Sequence, residues 1–172
     1  MPSKLLKTPE VRNWLEQVAE DAALLSAFLA VIQPQLYIAG IRCLTSLSTD
    51  PELSDSIGRW GFVYNSAAVI ANRCTPFHRD GQSSRADWLD VICSIGGSYD
   101  TMLELHSVGI RCQWPGGSVG LFPGRSEIHG VSQSADERLC IALYMLAKVH
   151  QRQTIKIATL PHLTDYFVPY YA

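Results

Sequence analysis

The sequence predicts an α+β protein in which N-terminal helices pack on a double-stranded β-helix, the jelly roll made of two facing antiparallel sheets. Two observations lead to this fold class. Apolar residues recur at helical spacing up to residue 58, and from residue 59 onward the chain consists of short apolar runs separated by glycine and proline turns. About eight such runs can be counted, the number of strands that a jelly roll needs.

The first 58 residues are predicted to form two or three helices that support the sheets. Thr8 provides a hydroxyl cap and Pro9 takes the first helical position, so a helix begins there. An apolar stripe follows over residues 14–29, with a break expected near residues 21–24. The helical period resumes over residues 36–47, and both stripes are expected to be core.

The predicted strands are short apolar runs bounded by turn residues. The first, Phe62–Ala71, is apolar on both faces and is therefore predicted to be a central strand. The others are residues 77–80, 88–95, 101–106, 109–114, 118–122, 127–129 and 139–147. Residues 59–153 would thus form the jelly-roll core of a single domain covering residues 1–172.

The tail, residues 154–172, contains one more possible strand at residues 155–158. Its aromatic end, Tyr166–Tyr171, either packs back on the helices or serves as an interaction segment, and packing is the expectation.

Composition limits the classes of protein that the chain can belong to. With 172 residues, 47% of them hydrophobic, it can bury a substantial core. A formal net charge of −2 provides no overall basic field, so any contact with DNA must come from a local patch. The N-terminus lacks the apolar core of a signal peptide, and no apolar run reaches the ~18 residues of a membrane span, so we expect no membrane association.

The five cysteines, an odd number, lie mostly in apolar runs without a Cys-x-x-Cys pair. This pattern predicts buried, reduced thiols and an intracellular protein.

The stretch Asn72–Asp80 holds His78 and Asp80 with one residue between them. At a strand end their side chains point to the same side, because side chains alternate with period two. His129 follows downstream, and Arg138 then opens an apolar run. Two histidines and one carboxylate on one side of an ion form the facial arrangement of non-haem Fe(II) oxygenases, and an arginine offers a fixed fork for a carboxylate.

The alternative for the His-x-Asp pair is a surface turn with a solvated histidine and aspartate. The other histidines, His106, His150 and His162, lack partners at ligand spacing and are predicted to be strand-end or surface residues.

With these residues placed, the chain resembles the Fe(II)- and 2-oxoglutarate-dependent dioxygenases, most closely the fungal Tet/JBP-like branch. The resemblance covers roughly residues 34–152. Its motifs are Val69–Asp80, Trp88–Val91, Ile95–Tyr99, the strand beginning at Leu103, Pro115–Val119, His129–Val131 and Arg138–Met145.

The resemblance implies that His78, Asp80 and His129 hold Fe(II), and that Arg138 pairs with the distal carboxylate of 2-oxoglutarate. Cys140 falls where relatives often carry a hydroxyl that assists this arginine, a departure that bears on cosubstrate affinity. Asn72 either binds the other end of the cosubstrate or fixes the turn.

The branch is associated with oxidation of methylated bases in DNA, 5-methylcytosine or N6-methyladenine. The resemblance therefore implies O2 as second cosubstrate, DNA as partner and a nuclear location. Arg73 and Arg79 would be phosphate contacts, with solvated arginines as the alternative. Trp88 and Tyr99, together with Trp114, would offer aromatic surface to a flipped base, with core packing as the alternative for each.

Two other functions stay open from the sequence. The same jelly roll could hydroxylate a protein side chain or a small molecule, which the net acidity favours. The chain could also be an inactive shortened copy that binds without turnover.

Overall fold

A computed structural model describes residues 3–81 and 85–159, and its N-terminal part is helical. After a 3-10 turn at Lys4–Lys7 come α1 (Pro9–Gln17), α2 (Ala19–Ile32), α3 (Pro34–Ser48) and α4 (Ser54–Gly58). The Thr8 hydroxyl caps α1 by accepting the Val11 N–H at 3.4 Å.

The break expected near residues 21–24 was wrong, because α1 ends at Gln17 and α2 begins at Ala19, with only Val18 between them. Glu20 and Asp21 lie in the first turn of α2. Carboxylates there are stabilised by the helix dipole, so these residues start a helix and do not interrupt one.

Eight strands form two four-stranded sheets. They are β1 (Ser66–Ala71), β2 (Thr75–His78), β3 (Asp90–Gly96), β4 (Met102–Leu105), β5 (Ile110–Gln113), β6 (Val119–Phe122), β7 (His129–Val131) and β8 (Arg138–Tyr144). One sheet has the order β1-β8-β3-β6 and the other β2-β7-β4-β5, with antiparallel neighbours throughout. The chain thus passes back and forth between two facing sheets, and the predicted double-stranded β-helix is confirmed.

The prediction of a central first strand was wrong, since β1 lies at the edge of its sheet. Only Ser66–Ala71 is strand, and the preceding segment, Phe62–Tyr64, is buried beside the helices. There the Val63 N–H donates to the Ser26 hydroxyl of α2 at 2.9 Å. The run is apolar on both faces because its two halves pack in different surroundings.

The segment after β8 also differs from the prediction. Helix α5 (Ala147–Arg152) begins where the last strand was expected to continue, and residues 155–158 form no strand. Ala158 is buried, and its carbonyl accepts the indole N–H of Trp88 at 2.8 Å. The aromatic end, Tyr166–Tyr171, lies outside the described residues.

Two apolar clusters hold the layers together. The larger lies between the helices and the outer face of the first sheet, and includes Leu29, Leu36, Trp88 and Leu143. The smaller has members from both sheets and therefore fills the space between them, with Ile92, Leu103, Trp114, Phe122, Val131 and Cys140. Side chains on β3 and β8 alternate between these clusters, so every second residue points into the jelly roll.

All five cysteines are free, but only Cys43 and Cys140 are buried. The prediction of a buried thiol was therefore wrong for Cys74, which is exposed. The prediction of a surface position was wrong for His150, which is fully buried on α5 with its ring 4.9 Å from that of Trp88. None of the helices in the described ranges has the length and apolar character to cross a membrane.

Candidate metal centre and cosubstrate pocket

The structure brings His78, Asp80 and His129 together at one end of the second sheet. His78 ends β2, and it pairs with His129 at the start of β7. One ligand atom from each of the three residues lies within 4.8 Å of the other two. His78 Nε2 is 3.4 Å from Asp80 Oδ1, and His129 Nε2 is 3.9 Å from Asp80 Oδ2. Residues far apart in the chain thus form one cluster with the chemistry of a metal site.

Backbone carbonyls orient both imidazoles for metal binding. His78 Nδ1 lies 2.9 Å from the Pro76 carbonyl, and His129 Nδ1 lies 3.0 Å from the Glu127 carbonyl. A ring nitrogen beside a carbonyl carries the proton and donates it, which leaves the lone pair on Nε2. Both Nε2 atoms face Asp80, so each histidine is held in the tautomer that a metal ion requires.

The environment also favours the neutral form of His129. Burial lowers the pKa of this residue, against the raising effects of the Glu127 carbonyl and the Asp80 charge. The side chain of His129 is only 8% exposed, whereas those of His78 and Asp80 are 37% and 38% exposed. The cluster therefore has a buried side and an open side, and a two-histidine, one-carboxylate set with open positions suits Fe(II).

Gly124 is placed directly against the Asp80 carboxylate. Its carbonyl accepts the Asp80 N–H at 3.0 Å. A Cβ at position 124 would lie 2.3 Å from Asp80 Oδ2, closer than any real contact. The Pro123–Gly124 pair was predicted only as a turn, but Gly124 has no positive φ, and its bare Cα instead allows the carboxylate to approach.

Arg138 lies at the start of β8 and is 4% exposed. Its Nε–H donates to the Ser94 hydroxyl at 2.9 Å, while its buried Nη2 has no hydrogen-bond partner among the described residues. Nor does any described carboxylate form an ion pair with it. A buried cation without an anion is costly, and an anionic ligand would relieve that cost. The site therefore fits a carboxylate such as the distal one of 2-oxoglutarate.

Cys140 lies two residues further along β8 and faces the same interior as Arg138. Burial raises the pKa of the Cys140 thiol, although the nearby Arg138 acts to lower it. Ser94 on β3 is paired with Cys140 across the sheet and is fully buried. Sequence reasoning missed Ser94, because only the register of β3 against β8 reveals that its hydroxyl lies beside the arginine.

Asn72 fixes the backbone where β1 meets β8. Its N–H donates to the Arg138 carbonyl at 2.8 Å, and its Oδ1 accepts the Arg138 N–H at 2.8 Å. The residue has a φ of 50°, a left-handed conformation that asparagine tolerates. Of the two roles considered for Asn72, these bonds favour fixing the turn, since they occupy the amide oxygen.

The remaining predicted residues are divided between the surface and the core. Arg73, Arg79 and Tyr99 are exposed, Tyr99 by 76%. Trp88 is fully buried in the cluster between helices and sheet. The structure therefore does not bring Trp88 to the metal cluster, and its assignment to substrate was wrong. Trp114 is also buried, but between the sheets, and its Nε1 has no partner within the described ranges.

Comparisons with known proteins support this chemistry. The Tet_JBP family model, described as the oxygenase domain of the 2OGFeDO superfamily, matches residues 3–147. No curated protein gives a significant match.

Among solved structures, an RmlC-like cupin protein from Desulfovibrio desulfuricans is similar at 14% identity and a TM-score of 0.34, over 45% of this chain and 71% of that one. The QdtA 3,4-ketoisomerase from Thermoanaerobacterium thermosaccharolyticum, in complex with TDP, is similar at 18% identity and a TM-score of 0.34. That match covers 49% of this chain and 61% of the ketoisomerase, less than two thirds of its length. At these values the likeness does not extend to function.

Proposed function

The chain belongs to the Tet_JBP family of oxygenase domains, in the superfamily that uses Fe(II) and 2-oxoglutarate, and we propose that it oxidises the methyl group of a methylated base in DNA. As a member of this superfamily it is a dioxygenase with 2-oxoglutarate and O2 as cosubstrates. The observation that carries the assignment of the site is the convergence of His78, Asp80 and His129 in a jelly roll that also buries Arg138, which has no ion-pair partner among the described residues.

Each part of the site has a role in this proposal. His78, Asp80 and His129 would hold the metal through two imidazole nitrogens and one carboxylate. Arg138 binds and orients the distal carboxylate of the cosubstrate. When bound, Fe(II) and 2-oxoglutarate supply the oxidising chemistry, in which 2-oxoglutarate is converted to succinate and carbon dioxide while a substrate C–H is hydroxylated. The apolar side chains between the sheets, among them Phe122, keep water away.

Two exposed arginines support DNA as the substrate. Arg73 and Arg79 flank the metal loop, and neither forms an ion pair within the described part of the chain. Arg79 lies in the chain between two proposed ligands, and its side chain is exposed. Because the protein as a whole carries a net negative charge, contact with DNA phosphates requires a local group of basic residues, such as these two arginines. DNA as substrate would also place the protein in the nucleus.

A base in a duplex must leave the stack before its methyl group can reach a metal held by these residues. Tyr99 lies in the turn after β3, two residues beyond Gly97, and the Cβ position of Gly97 is 3.1 Å from the Arg138 side chain. Its exposed ring supports stacking against a flipped base. The proposed substrates are 5-methylcytosine and N6-methyladenine, which differ in whether the methyl group is on carbon or nitrogen.

The test is to incubate the protein with Fe(II), 2-oxoglutarate and ascorbate, with and without methylated duplex DNA. Both succinate and the oxidised base are measured by mass spectrometry, and unmethylated DNA of the same sequence is the matched control. The proposal expects methyl-dependent succinate and a hydroxymethylated base. Succinate without base oxidation would instead favour a protein or small-molecule substrate, and binding without succinate would favour an inactive copy.

A second arm tests the arginines. The double variant Arg73→Gln/Arg79→Gln should bind methylated duplex more weakly, and the slope of log affinity against log salt should fall by about one for each phosphate that the protein no longer neutralises. Arg42→Gln, on the exposed side of α3, is the control and should change neither quantity. Unchanged affinity and slope in the double variant would count against DNA binding at this edge.

A further inference from the structure

Ser94 is the one hydroxyl that contacts the Arg138 guanidinium among the described residues. It lies on β3, next to β8, and its Cα is paired with that of Cys140. Paired residues of antiparallel strands direct their side chains to the same face. Ser94 and Cys140 therefore face the same interior as Arg138.

The Cys140 thiol is poorly suited to bind a carboxylate beside Arg138. A thiol is a poor hydrogen-bond donor, whereas a serine hydroxyl donates and accepts strongly. A carboxylate bound beside Arg138 would gain little from Cys140, but it would gain a charge-assisted hydrogen bond from a hydroxyl at the same depth. Ser94 is the residue that brings such a hydroxyl to this place.

The hydrogen bonds of Ser94 leave one donor unused. Its N–H donates to the Ser118 carbonyl, and its own carbonyl accepts the Gly117 N–H. Its Oγ accepts the Nε–H of Arg138. The hydroxyl proton then has no acceptor within residues 3–81 and 85–159, although the side chain is fully buried. A buried hydroxyl proton without an acceptor is unfavourable, as is the buried Nη2 of Arg138 beside it.

We propose that Ser94 is a cosubstrate-binding residue, whose hydroxyl donates to the same carboxylate that Arg138 binds through Nη2. This inference rests on the proposed role of Arg138 as the anchor for 2-oxoglutarate. Recognition of the distal carboxylate would then depend on residues of two strands, β3 and β8, and the register of these strands places Ser94 beside Arg138.

The competing explanation is that Ser94 only holds Arg138 in place. In that case removal of the hydroxyl would free Nε–H, and the guanidinium could bind a carboxylate through two parallel N–H groups. Ser94→Ala would then bind 2-oxoglutarate at least as tightly as the wild type. The two explanations thus predict opposite signs for the same substitution.

The experiment is an anaerobic calorimetric titration of 2-oxoglutarate into the full chain loaded with Mn(II). Ser94→Ala should raise the Kd for 2-oxoglutarate by about 10- to 100-fold, as expected when a hydrogen bond to a charged group is removed. The Kd for Mn(II) should not change, because no metal ligand contacts Ser94. In the Ser94→Ala background, Cys140→Ser returns a hydroxyl to the same face and should recover most of the affinity.

Three results would overturn the inference alone. One is a Kd for 2-oxoglutarate in Ser94→Ala that is unchanged or lower, while Arg138→Ala binds weakly. The second is an Mn(II) affinity that falls in parallel, which would indicate a disturbed jelly roll. The third is a double variant that binds 2-oxoglutarate no better than Ser94→Ala. If Arg138→Ala binds 2-oxoglutarate as well as the wild type does, the anchor itself is wrong and the proposed function fails with it.

Discussion

Gly124→Ala places one methyl group against the carboxylate of Asp80. The added Cβ would lie 2.3 Å from Asp80 Oδ2 and 2.9 Å from Asp90 Oδ2, whereas ordinary van der Waals contact begins at 3.4 Å. The Asp80 oxygen must therefore move by about 1.1 Å, the difference between the contact limit and the built distance. Metal–ligand distances tolerate only about 0.2 Å, so Asp80 cannot keep its position relative to both histidines.

The expected result is a loss of metal affinity with little change in fold. Displacing the support of a ligand costs about 10- to 100-fold in affinity, and we expect Mn(II) binding to weaken by at least this factor. Anaerobic calorimetry measures the Kd, and far-UV circular dichroism checks the fold. Gly81→Ala is the matched control, since it adds the same methyl group next to Asp80 in the chain with no described atom within 4 Å. Wild-type affinity in Gly124→Ala would refute the reasoning.

Three further predictions concern single residues. His129→Ala should abolish succinate formation without unfolding the protein, as followed by mass spectrometry and circular dichroism, and full turnover would remove His129 from the metal site. Arg138→Lys keeps the charge but loses the fork, so it should raise KM for 2-oxoglutarate more than it lowers kcat, and an unchanged KM would contradict the anchoring role. Burial lowers the pKa of His150, so the unfolded state binds a proton at this residue more readily than the folded state does. The stability that the neutral, buried His150 contributes is therefore complete above the unfolded pKa of about 6.5. It is lost as pH falls towards the folded pKa. Chemical unfolding at about pH 7.5 and 5.5 should show a smaller loss of stability in His150→Gln than in the wild type, and equal losses would place the effect elsewhere.

The jelly roll could be predicted because its signals are local. Glycine and proline turns separate the strands, and the single residue between His78 and Asp80 keeps both side chains near the end of β2. The strand boundaries shifted by a few residues, as at β7, which begins at His129 and not at Glu127.

The supporting residues could not be predicted, because they depend on neighbours across the sheet. Ser94 lies in an apolar run with no motif, and its contact with Arg138 follows only from the β3–β8 register. Gly124 looked like an ordinary turn residue, and its closeness to Asp80 is a long-range contact. Local patterns therefore identified the candidate ligands, while the residues that position them needed the folded chain.

The burial of amphipathic side chains also could not be predicted from the sequence. Trp88 begins a strand-like run beside polar residues, a pattern equally consistent with a wall of the active site and with the outer core. The deciding contact is with Ala158, 70 residues away. His150 was placed at a strand end or the surface because it lacks a partner at ligand spacing in the sequence. In the structure its helix packs inward against Trp88.

The most direct test of the central claim is anomalous diffraction from crystals grown anaerobically with Fe(II) and 2-oxoglutarate. The account predicts one iron peak bonded to His78 Nε2, Asp80 and His129 Nε2, with the distal carboxylate of 2-oxoglutarate on Arg138. An iron peak elsewhere, or a cosubstrate whose distal carboxylate avoids Arg138, would contradict it.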